Sequence, residues 1–320
     1  MQDPALLVVL AGPTGAGKSA LALQLAESLG PRLPLEIISM DSAQVYRGMD
    51  IGTAKPDAGT RARLAHHLID IRDPAESYSA GDFVRDALTT ARAVWSRGHQ
   101  PVLVGGTMLY LRALYHGLAA LPQADAGVRR ELDARAQRCG WPALHARLAE
   151  VDAQAAARIA SNDAQRIQRA LEVWQLTGTP ISEWQRRTRG AREQFRWLRF
   201  ALLPEHTAAA RAALRARLQA RLAGMLEAGL LEEVRRLYAR GDLSEQHASI
   251  RAVGYRQLWR FVAGEGTLEQ AREAALTATA QLAKRQLTWL RQEPEITHLA
   301  LGAVGLAEPL AKQILAAAGA

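Results

Sequence analysis

The sequence lacks the features that would point to a membrane, secreted or zinc-binding protein. Its apolar runs have about the length of a β-strand, far short of the ~20 residues that a membrane-spanning helix needs. It has no basic-then-apolar segment at the N-terminus, and its single cysteine, Cys139, excludes an intrachain disulfide framework. Its histidines show no zinc-ligand spacing such as H-E-x-x-H. We therefore expect a soluble, cytoplasmic protein without a zinc site, in which Cys139 is a spectator.

Low-complexity tracts are also absent, and the composition is that of an ordered globular protein. Charge, however, is distributed unevenly: residues 1–121 hold 11 basic and 11 acidic side chains. Residues 122–202 hold 14 against 9, and residues 203–320 hold 15 against 12, which together account for the net charge of +8. Nearly all of the excess is arginine, which binds phosphate through two parallel hydrogen bonds. This pattern favours a polyanionic partner such as nucleic acid, although a solvated basic face would have the same composition.

Strand and helix patterns alternate over the first 121 residues. Apolar, β-branched runs predict buried strands, and apolar residues at helical spacing predict helices between them. The predicted strands are 6–11, 35–40 and 101–105, and the predicted helices are 18–29, 79–97 and one that begins at about 107. This alternation predicts a parallel sheet covered by helices.

The sequence after residue 121 has a different composition and pattern. From Pro122 it carries short Ala- and Arg-rich amphipathic segments, with no strand pattern before 195–203. Longer patterns follow, namely helices over 207–228 and 267–291, a strand over 296–301 and a closing helix. We predict an α/β fold, a P-loop NTPase-like parallel sheet flanked by helices and formed by residues 1–121 and 203–320, with an all-helical insertion domain over 122–202.

A P-loop pattern lies between the first strand and the first helix. The segment G-P-T-G-A-G-K-S matches G-x-x-x-x-G-K-[ST]. Glycines let backbone N–H groups face an anion, Lys18 adds a positive charge, and Ser19 adds a hydroxyl for Mg²⁺. The pattern specifies a di- or triphosphate without naming ATP or the bond that breaks. The predicted binding residues are Gly12, Pro13, Thr14, Gly15, Ala16, Gly17, Lys18 and Ser19.

Two polar residues follow strands at the sheet edge where the P-loop opens. Asp41 follows the strand 35–40 and has three interpretations: a Mg²⁺ ligand through water, an acceptor for the proton of a nucleophile, or the cap of a turn. Thr107 follows Gly105-Gly106 and begins a helix. It caps that helix, contacts phosphate, or does both.

Basic residues in the later helices add two weaker signals. Arg217 and Arg221 are four residues apart on one helix face, where they would clamp a pyrophosphate or simply face solvent. The segment 249–256, S-I-R-A-V-G-Y-R, combines arginines, a glycine and an aromatic, a composition suited to RNA backbone and base contacts.

Six passages together carry a resemblance that spans nearly the whole chain. They are the P-loop, D-S-A-Q-V-Y-R-G-M-D-I-G-T-A-K-P from Asp41, H-L-I-D-I from His67, V-G-G-T-M-L-Y from Val104, N-D-x-Q-R from Asn162 and Q-L-A-K-R-Q-x-T-W-L-R ending at Arg291. With these passages the sequence resembles the bacterial tRNA dimethylallyltransferases, also called tRNA isopentenyltransferases. The set is far more specific than a P-loop alone.

The resemblance implies a reaction and roles for the site residues. A dimethylallyl group moves from dimethylallyl diphosphate to the exocyclic N6 amine of the adenosine 3′ of the anticodon, in tRNAs that read codons starting with U, and diphosphate is released. Asp41 is then the base, and Thr107 holds and polarises the leaving group. Lys18, Ser19, Arg217 and Arg221 neutralise its charge, with Mg²⁺ as cofactor bound at Ser19 and with Asp41 as a second candidate ligand.

The resemblance also implies contacts with tRNA. The insertion would grip the anticodon stem, the segment after the second strand would read the flipped adenosine, with Gln44 at the adenine edge, and the protein is expected to be a monomer. The implied tRNA-binding residues are Asp41, Ser42, Ala43, Gln44, Thr107, Arg129, Gln165, Arg166, Ile167, Gln168, Arg169, Arg251, Ala252, Val253, Gly254, Tyr255, Arg256, Lys284, Arg285 and Arg291.

Three other functions compete with this one. The P-loop and Asp41 alone allow an ATP-dependent small-molecule kinase, and the first half of the chain also fits an adenylate isopentenyltransferase that acts on free nucleotide. A basic RNA-binding module with a vestigial P-loop is the third. The basic insertion argues against both small-molecule enzymes, and the intact Lys18, Ser19, Asp41 and Thr107 argue against a vestigial P-loop.

Overall fold

The computed structural model describes residues 5–119, 121–186 and 190–319. The chain divides into two compact units: Met1–Arg112 together with Arg192–Ala320, and Ala113–Ala191. No helix in the described part of the chain combines the length and apolarity needed to cross a membrane.

Within the described residues, six strands form one parallel sheet in the first unit. They are β1 (Leu6–Ala11), β2 (Leu35–Met40), β3 (His66–His67), β4 (Gln100–Gly105), β5 (Arg196–Leu203) and β6 (Thr297–Ala300). Their order is β3-β2-β4-β1-β5-β6, and every pairing is parallel. β1, β2 and β4 are buried along their whole length, because helices cover both faces of such a sheet. The predicted α/β fold is confirmed.

The helices predicted for the first unit are all present, and three that were not predicted lie at Ala58–Arg63, Leu230–Ala239 and Tyr255–Val262. The helices of the described chain are α1 (Lys18–Leu29), α2 (Ala58–Arg63), α3 (Ala80–Ser96), α4 (Met108–His116), α5 (Ala126–Val151), α6 (Ala153–Ala156), α7 (Ala164–Thr177), α8 (Ile181–Arg186), α9 (Ala208–Glu227), α10 (Leu230–Ala239), α11 (Tyr255–Val262), α12 (Leu268–Gln292) and α13 (Ala307–Ala318). Short 3₁₀ turns lie at Gly30–Arg32 and Arg192–Gln194.

Helix α3 shows how local sequence sets an element that supports the site. The Ser79 hydroxyl accepts a hydrogen bond from the Asp82 backbone N–H, and the Asp82 carboxylate accepts one from the Ser79 N–H, which forms a capping box at the start of the helix. The buried face of α3 includes Phe83, whose ring stacks on Tyr110 of α4 with ring centroids 4.3 Å apart. Helix α3 therefore anchors the helix that follows Thr107.

The second unit is helical in its described part. Its core lies between α5, α7 and α8 and includes Leu132, Leu148 and Ile167. Gly140 interrupts α5 with a φ of 78°, and Pro142 follows, so α5 consists of two helical segments joined at a break. The unit thus has its own hydrophobic core, as a domain requires.

The boundaries of this unit differ from the predicted insertion, 122–202. The compact unit is Ala113–Ala191, and β5, which the prediction placed inside the insertion, belongs to the sheet. β5 pairs with β1 from Leu6 with Arg196 to Ala11 with Ala201. The prediction was drawn from Ala- and Arg-rich composition, whereas sheet membership is decided by pairing with a strand about 190 residues away in the chain.

Candidate functional site

Three strand ends lie side by side at the carboxyl edge of the sheet. Ala11 of β1 pairs with Gly105 of β4, and Gly105 pairs with Met40 of β2. The segments that follow are the P-loop, the turn into α4 and the loop after β2. Parallel strand order therefore brings the three predicted catalytic segments together.

The turn after β4 allows this close approach because it lacks side chains. A Cβ at Gly105 would lie 2.0 Å from the Met40 carbonyl oxygen. A Cβ at Gly106 would lie 2.5 Å from Nε2 of Gln286 and 2.9 Å from the Gly12 carbonyl oxygen. All three distances are shorter than Cβ contacts in real proteins, so glycine is required at both positions.

The P-loop has the backbone of an anion cradle. Gly15 and Gly17 have φ of 77° and 79°, in the left-handed region that favours glycine, and α1 begins directly afterwards at Lys18. The Lys18 ammonium donates hydrogen bonds to the carbonyls of Gly12, at 3.0 Å, and Pro13, at 2.8 Å. A helix N-terminus with a lysine beside it is suited to a phosphate group.

The environment of Lys18 changes its pKa. Burial has the largest effect and lowers the pKa to about 8, while the negative charge of Asp41 opposes the shift and the positive charge of Arg221 adds to it. Lys18, Asp41 and Arg221 therefore form one electrostatically coupled group. An anion that binds between Lys18 and Arg221 would raise the pKa of the lysine again.

Asp41 and Thr107 are joined through Ser42. Oδ1 of Asp41 accepts a hydrogen bond from the Ala43 N–H at 2.9 Å, so the turn-capping interpretation of Asp41 is realised. Oγ1 of Thr107 accepts one from the Ser42 N–H at 3.0 Å, and the Thr107 N–H donates to the Met40 carbonyl at 3.2 Å. These bonds hold a carboxylate and a hydroxyl next to the anion cradle.

A cavity of about 750 Å³ opens in front of these residues. It is lined by the P-loop, the loop after β2, the turn after β4, α9, α12 and the segment before α11. The predicted site residues in its wall are Thr14, Gly15, Ala16, Gly17, Lys18, Ser19, Asp41, Ser42, Ala43, Gln44, Thr107, Arg221, Arg251, Ala252, Val253, Gly254, Tyr255 and Arg285. Apolar side chains, including Leu222, Met225 and Trp289, line it as well.

Other predicted site residues of the first unit lie outside this wall. Arg217 is exposed on α9, whose cavity-facing residues are Leu218, Arg221, Leu222 and Met225. Arg256 contacts Glu245 on the surface, and Lys284 and Arg291 are exposed on α12. Of the two arginines predicted to clamp pyrophosphate, Arg221 thus lines the cavity and Arg217 does not.

Several side chains of the second unit that were predicted to contact tRNA interact with other residues of the protein instead. Arg129 and Arg169 both bind the carboxylate of Glu172, which is fully buried. Ile167 is also fully buried, in the core of the unit. The other predicted residues remain at the surface: Gln165 and Arg166 are exposed, and Gln168 donates to Asp133.

Two predicted RNA-reading side chains have internal partners. The Gln44 amide accepts from the Ser39 hydroxyl at 2.9 Å and donates to the Thr53 carbonyl at 3.2 Å. Tyr255 is 1% exposed, and its hydroxyl donates to Glu233. Both side chains therefore fix the walls of the cavity.

Sequence reasoning missed three residues that hold these walls. Lys55 is nearly buried and its ammonium binds Asp50 and Asp70, and Gln286 bridges two site loops. Glu233 lies at a buried position among the apolar residues of α10, and a charged residue at core spacing is the signal that would have revealed it. Lys55 and Gln286 lie within the passages that carry the family resemblance.

Known proteins resemble this chain in sequence and in fold. The sequence profile of the IPP transferase family matches residues 44–293. A tRNA dimethylallyltransferase of Bordetella pertussis is 55% identical over 91% of this chain and 91% of its own. The crystal structure of the full-length tRNA isopentenylpyrophosphate transferase of Bacillus halodurans has a TM-score of 0.69 at 36% identity and covers 98% of this chain and 96% of that one.

A eukaryotic dimethylallyltransferase whose crystal structures show it acting on tRNA has a TM-score of 0.77 at 26% identity. The match covers 97% of this chain and 77% of that one. The family profile covers residues 44–293, sequence identity and fold extend over nearly the full length, and the predicted resemblance is confirmed. This chain therefore belongs to the IPP transferase family.

Proposed function

We propose that this chain is a tRNA dimethylallyltransferase, which moves the dimethylallyl group of dimethylallyl diphosphate to N6 of the adenosine 3′ of the anticodon in tRNAs that read codons starting with U. One observation carries the proposal: a single cavity combines an anion cradle, an apolar wall and the pair Asp41 and Thr107. A kinase would need the cradle and the carboxylate, but not an apolar wall beside them.

In this reaction a C–O bond of the prenyl diphosphate breaks, and a C–N bond to the adenosine amine forms. Lys18 and Arg221 hold the diphosphate and stabilise the charge that develops as it leaves. Asp41 takes the proton from the amine, and the Thr107 hydroxyl polarises the diphosphate. The products are prenylated RNA, diphosphate and a proton.

Mg²⁺ fits the oxygen donors of the cavity. The Ser19 hydroxyl is exposed at the first turn of α1, and the Asp41 carboxylate lies in the same wall. Mg²⁺ prefers one or two protein oxygens together with phosphate oxygens and water. The described residues contain no group of three or more His, Cys, Asp or Glu side chains that could hold a metal ion. When bound, Mg²⁺ would neutralise charge on the leaving group.

We further propose that the RNA enters with the target adenosine unstacked, because its amine is out of reach inside an anticodon stack. Arg251 and Arg285 line the cavity and are exposed, so their charges meet the RNA backbone around the flipped base. The second unit, with exposed Arg166 and Gln165, grips the anticodon stem. We expect the enzyme to act as a monomer in the cytoplasm.

The proposed function is tested with labelled dimethylallyl diphosphate and Mg²⁺, supplied with either an anticodon stem-loop or free AMP. Label is expected in the stem-loop only. Label in AMP alone would identify an adenylate isopentenyltransferase, and label in neither would contradict prenyl transfer. A stem-loop that carries guanosine in place of the target adenosine is the matched control and should stay unlabelled.

Diphosphate affinity is expected to fall as pH rises above about 8, the pKa of Lys18 in the free protein. The bound anion favours the charged ammonium, so binding above this pH must take up a proton. The affinity therefore drops by up to about tenfold per pH unit. Calorimetry of dimethylallyl diphosphate binding without RNA measures it, and Lys18→Arg, which stays charged, is the control. Equal pH dependence in both proteins would contradict the role of Lys18.

A further inference from the structure

We infer that Gln286 is a positioning residue that fixes the diphosphate cradle relative to the Thr107 turn. Its side chain forms one hydrogen bond to each of the two loops. The bridge therefore needs a side chain that both donates and accepts. The inference rests on the proposed function for its catalytic consequence, while its structural part rests on the two hydrogen bonds alone.

The first bond reaches the P-loop. Oε1 of Gln286 accepts a hydrogen bond from the Thr14 backbone N–H at 2.9 Å. These two residues are 272 positions apart in the chain, so the bond ties the loop after β1 to helix α12. Thr14 precedes Gly15, whose left-handed backbone begins the cradle.

The second bond reaches the turn after β4. Nε2 of Gln286 donates to the Gly106 carbonyl at 2.8 Å. Gly106 directly precedes Thr107, and a Cβ at Gly106 would collide with Nε2 of Gln286. The absence of a side chain at Gly106 is thus what lets Gln286 approach the turn.

The amide group suits this bridge because it is both a donor and an acceptor. A carboxylate would accept from Thr14 but repel the Gly106 carbonyl, and an amine would donate to Gly106 but repel the Thr14 N–H. The bridge also starts from a rigid element, since Ala283, Leu287 and Leu290 bury the neighbouring face of α12. A long packed helix can therefore hold both loops in a fixed position.

The consequence for catalysis is geometric. The P-loop holds the leaving diphosphate and Thr107 polarises it, so the distance between them decides how far the hydroxyl stabilises the departing charge. Misplacement by about 1 Å costs a rate factor on the order of 10². Gln286 acts on the reaction through Thr107 and the P-loop rather than by touching the reacting atoms.

The test compares Gln286→Ala and Gln286→Glu with the wild type in single-turnover prenyl transfer to an anticodon stem-loop. Gln286→Ala is expected to lower the rate by about 10- to 100-fold, while the Kd of the stem-loop changes by less than about twofold. Gln286→Glu keeps the Thr14 bond, loses the Gly106 bond and is expected to be at least as slow. Gln292→Ala, an exposed glutamine at the end of the same helix, is the matched control with an unchanged rate.

A double-mutant cycle separates positioning from a general loss of structure. In a Thr107→Ala background, Gln286→Ala is expected to cost less than about threefold, because the group that it positions is gone. A full rate in either Gln286 variant, or an undiminished loss in the Thr107→Ala background, would overturn the inference.

Failure of the proposed function can be distinguished from failure of the inference about Gln286. If the wild type transfers no label to RNA, the proposed function fails, and calorimetry of dimethylallyl diphosphate binding decides the role of Gln286 instead. Weaker binding by Gln286→Ala, by about fivefold or more, then supports the bridge, because a less ordered cradle binds its anion less tightly. Equal affinity would overturn it.

Discussion

Replacing Asp41 with asparagine is expected to lower the single-turnover rate of prenyl transfer by about 10²- to 10⁴-fold, the range of general-base effects. Asparagine still accepts the Ala43 N–H bond, which in the wild type is 2.9 Å long, so the loop after β2 keeps its shape. What is lost is the basic oxygen that we propose takes the proton of the adenosine amine. Binding of the stem-loop should change by less than about threefold, because one contact among many is altered.

The Asp41→Asn measurement is best made at a saturating concentration of dimethylallyl diphosphate. Asp41 raises the pKa of Lys18, so its loss lowers that pKa further and weakens diphosphate binding in alkaline buffer. The bound diphosphate raises the pKa of Lys18 and keeps the ammonium charged in both proteins, so the comparison reports the base alone. Asp57→Asn is the matched control, since Asp57 is an exposed N-cap of α2 and asparagine caps a helix equally well. An unchanged rate in Asp41→Asn would exclude Asp41 as the base.

Replacing Glu233 with alanine is expected to release the loop over residues 50–52. Glu233 is 1% exposed, and its carboxylate accepts hydrogen bonds from the backbone N–H groups of Asp50, Ile51 and Gly52 at 2.8, 2.9 and 3.2 Å and from the hydroxyl of Tyr255. Removing this acceptor leaves the buried Tyr255 hydroxyl and three part-buried backbone N–H groups unpaired and costs about 3 kcal/mol locally.

Hydrogen exchange measures this local effect directly. The backbone amides of residues 50–52 should exchange about 10²-fold faster in Glu233→Ala, which corresponds to the local loss of about 3 kcal/mol. Tyr255→Phe removes one donor without removing the acceptor and should cost about 1 kcal/mol. Glu232→Ala, at the exposed neighbouring position, should leave exchange of this loop unchanged. Unchanged protection in Glu233→Ala would show that the loop is held by other contacts.

Much of the sheet could be predicted because its strands are buried on both faces. Such strands produce continuous apolar runs, and the predicted bounds 6–11 and 35–40 coincide with β1 and β2. The two-residue strand β3 was missed, since a segment of that length has no periodicity and becomes a strand only by pairing with β2. The predicted C-terminal boundary of the insertion, residue 202, was too late for the same reason, because β5 belongs to the sheet through its pairing with β1.

Parts of the candidate site could likewise be predicted where they depend on short motifs of adjacent residues. The P-loop spacing, the position of Asp41 after a strand and the Gly105-Gly106-Thr107 turn each predict a role from adjacent residues alone. Parallel strand order then predicts that their segments meet at one edge. The sequence by itself therefore determined the family, the fold class and which segments meet at the carboxyl edge of the sheet.

Only the tertiary structure decided which polar side chains face the cavity and which form hydrogen bonds within the protein. Arg221 lines the cavity and Arg217 does not, although both share one helix face in the sequence pattern. Gln44 and Tyr255 bond inward, and Glu233 and Gln286 hold loops that are up to 272 positions away. The hydrogen-bond partner of a polar side chain depends on segments brought together by folding, and the identity of that partner leaves no periodic signal in the local sequence.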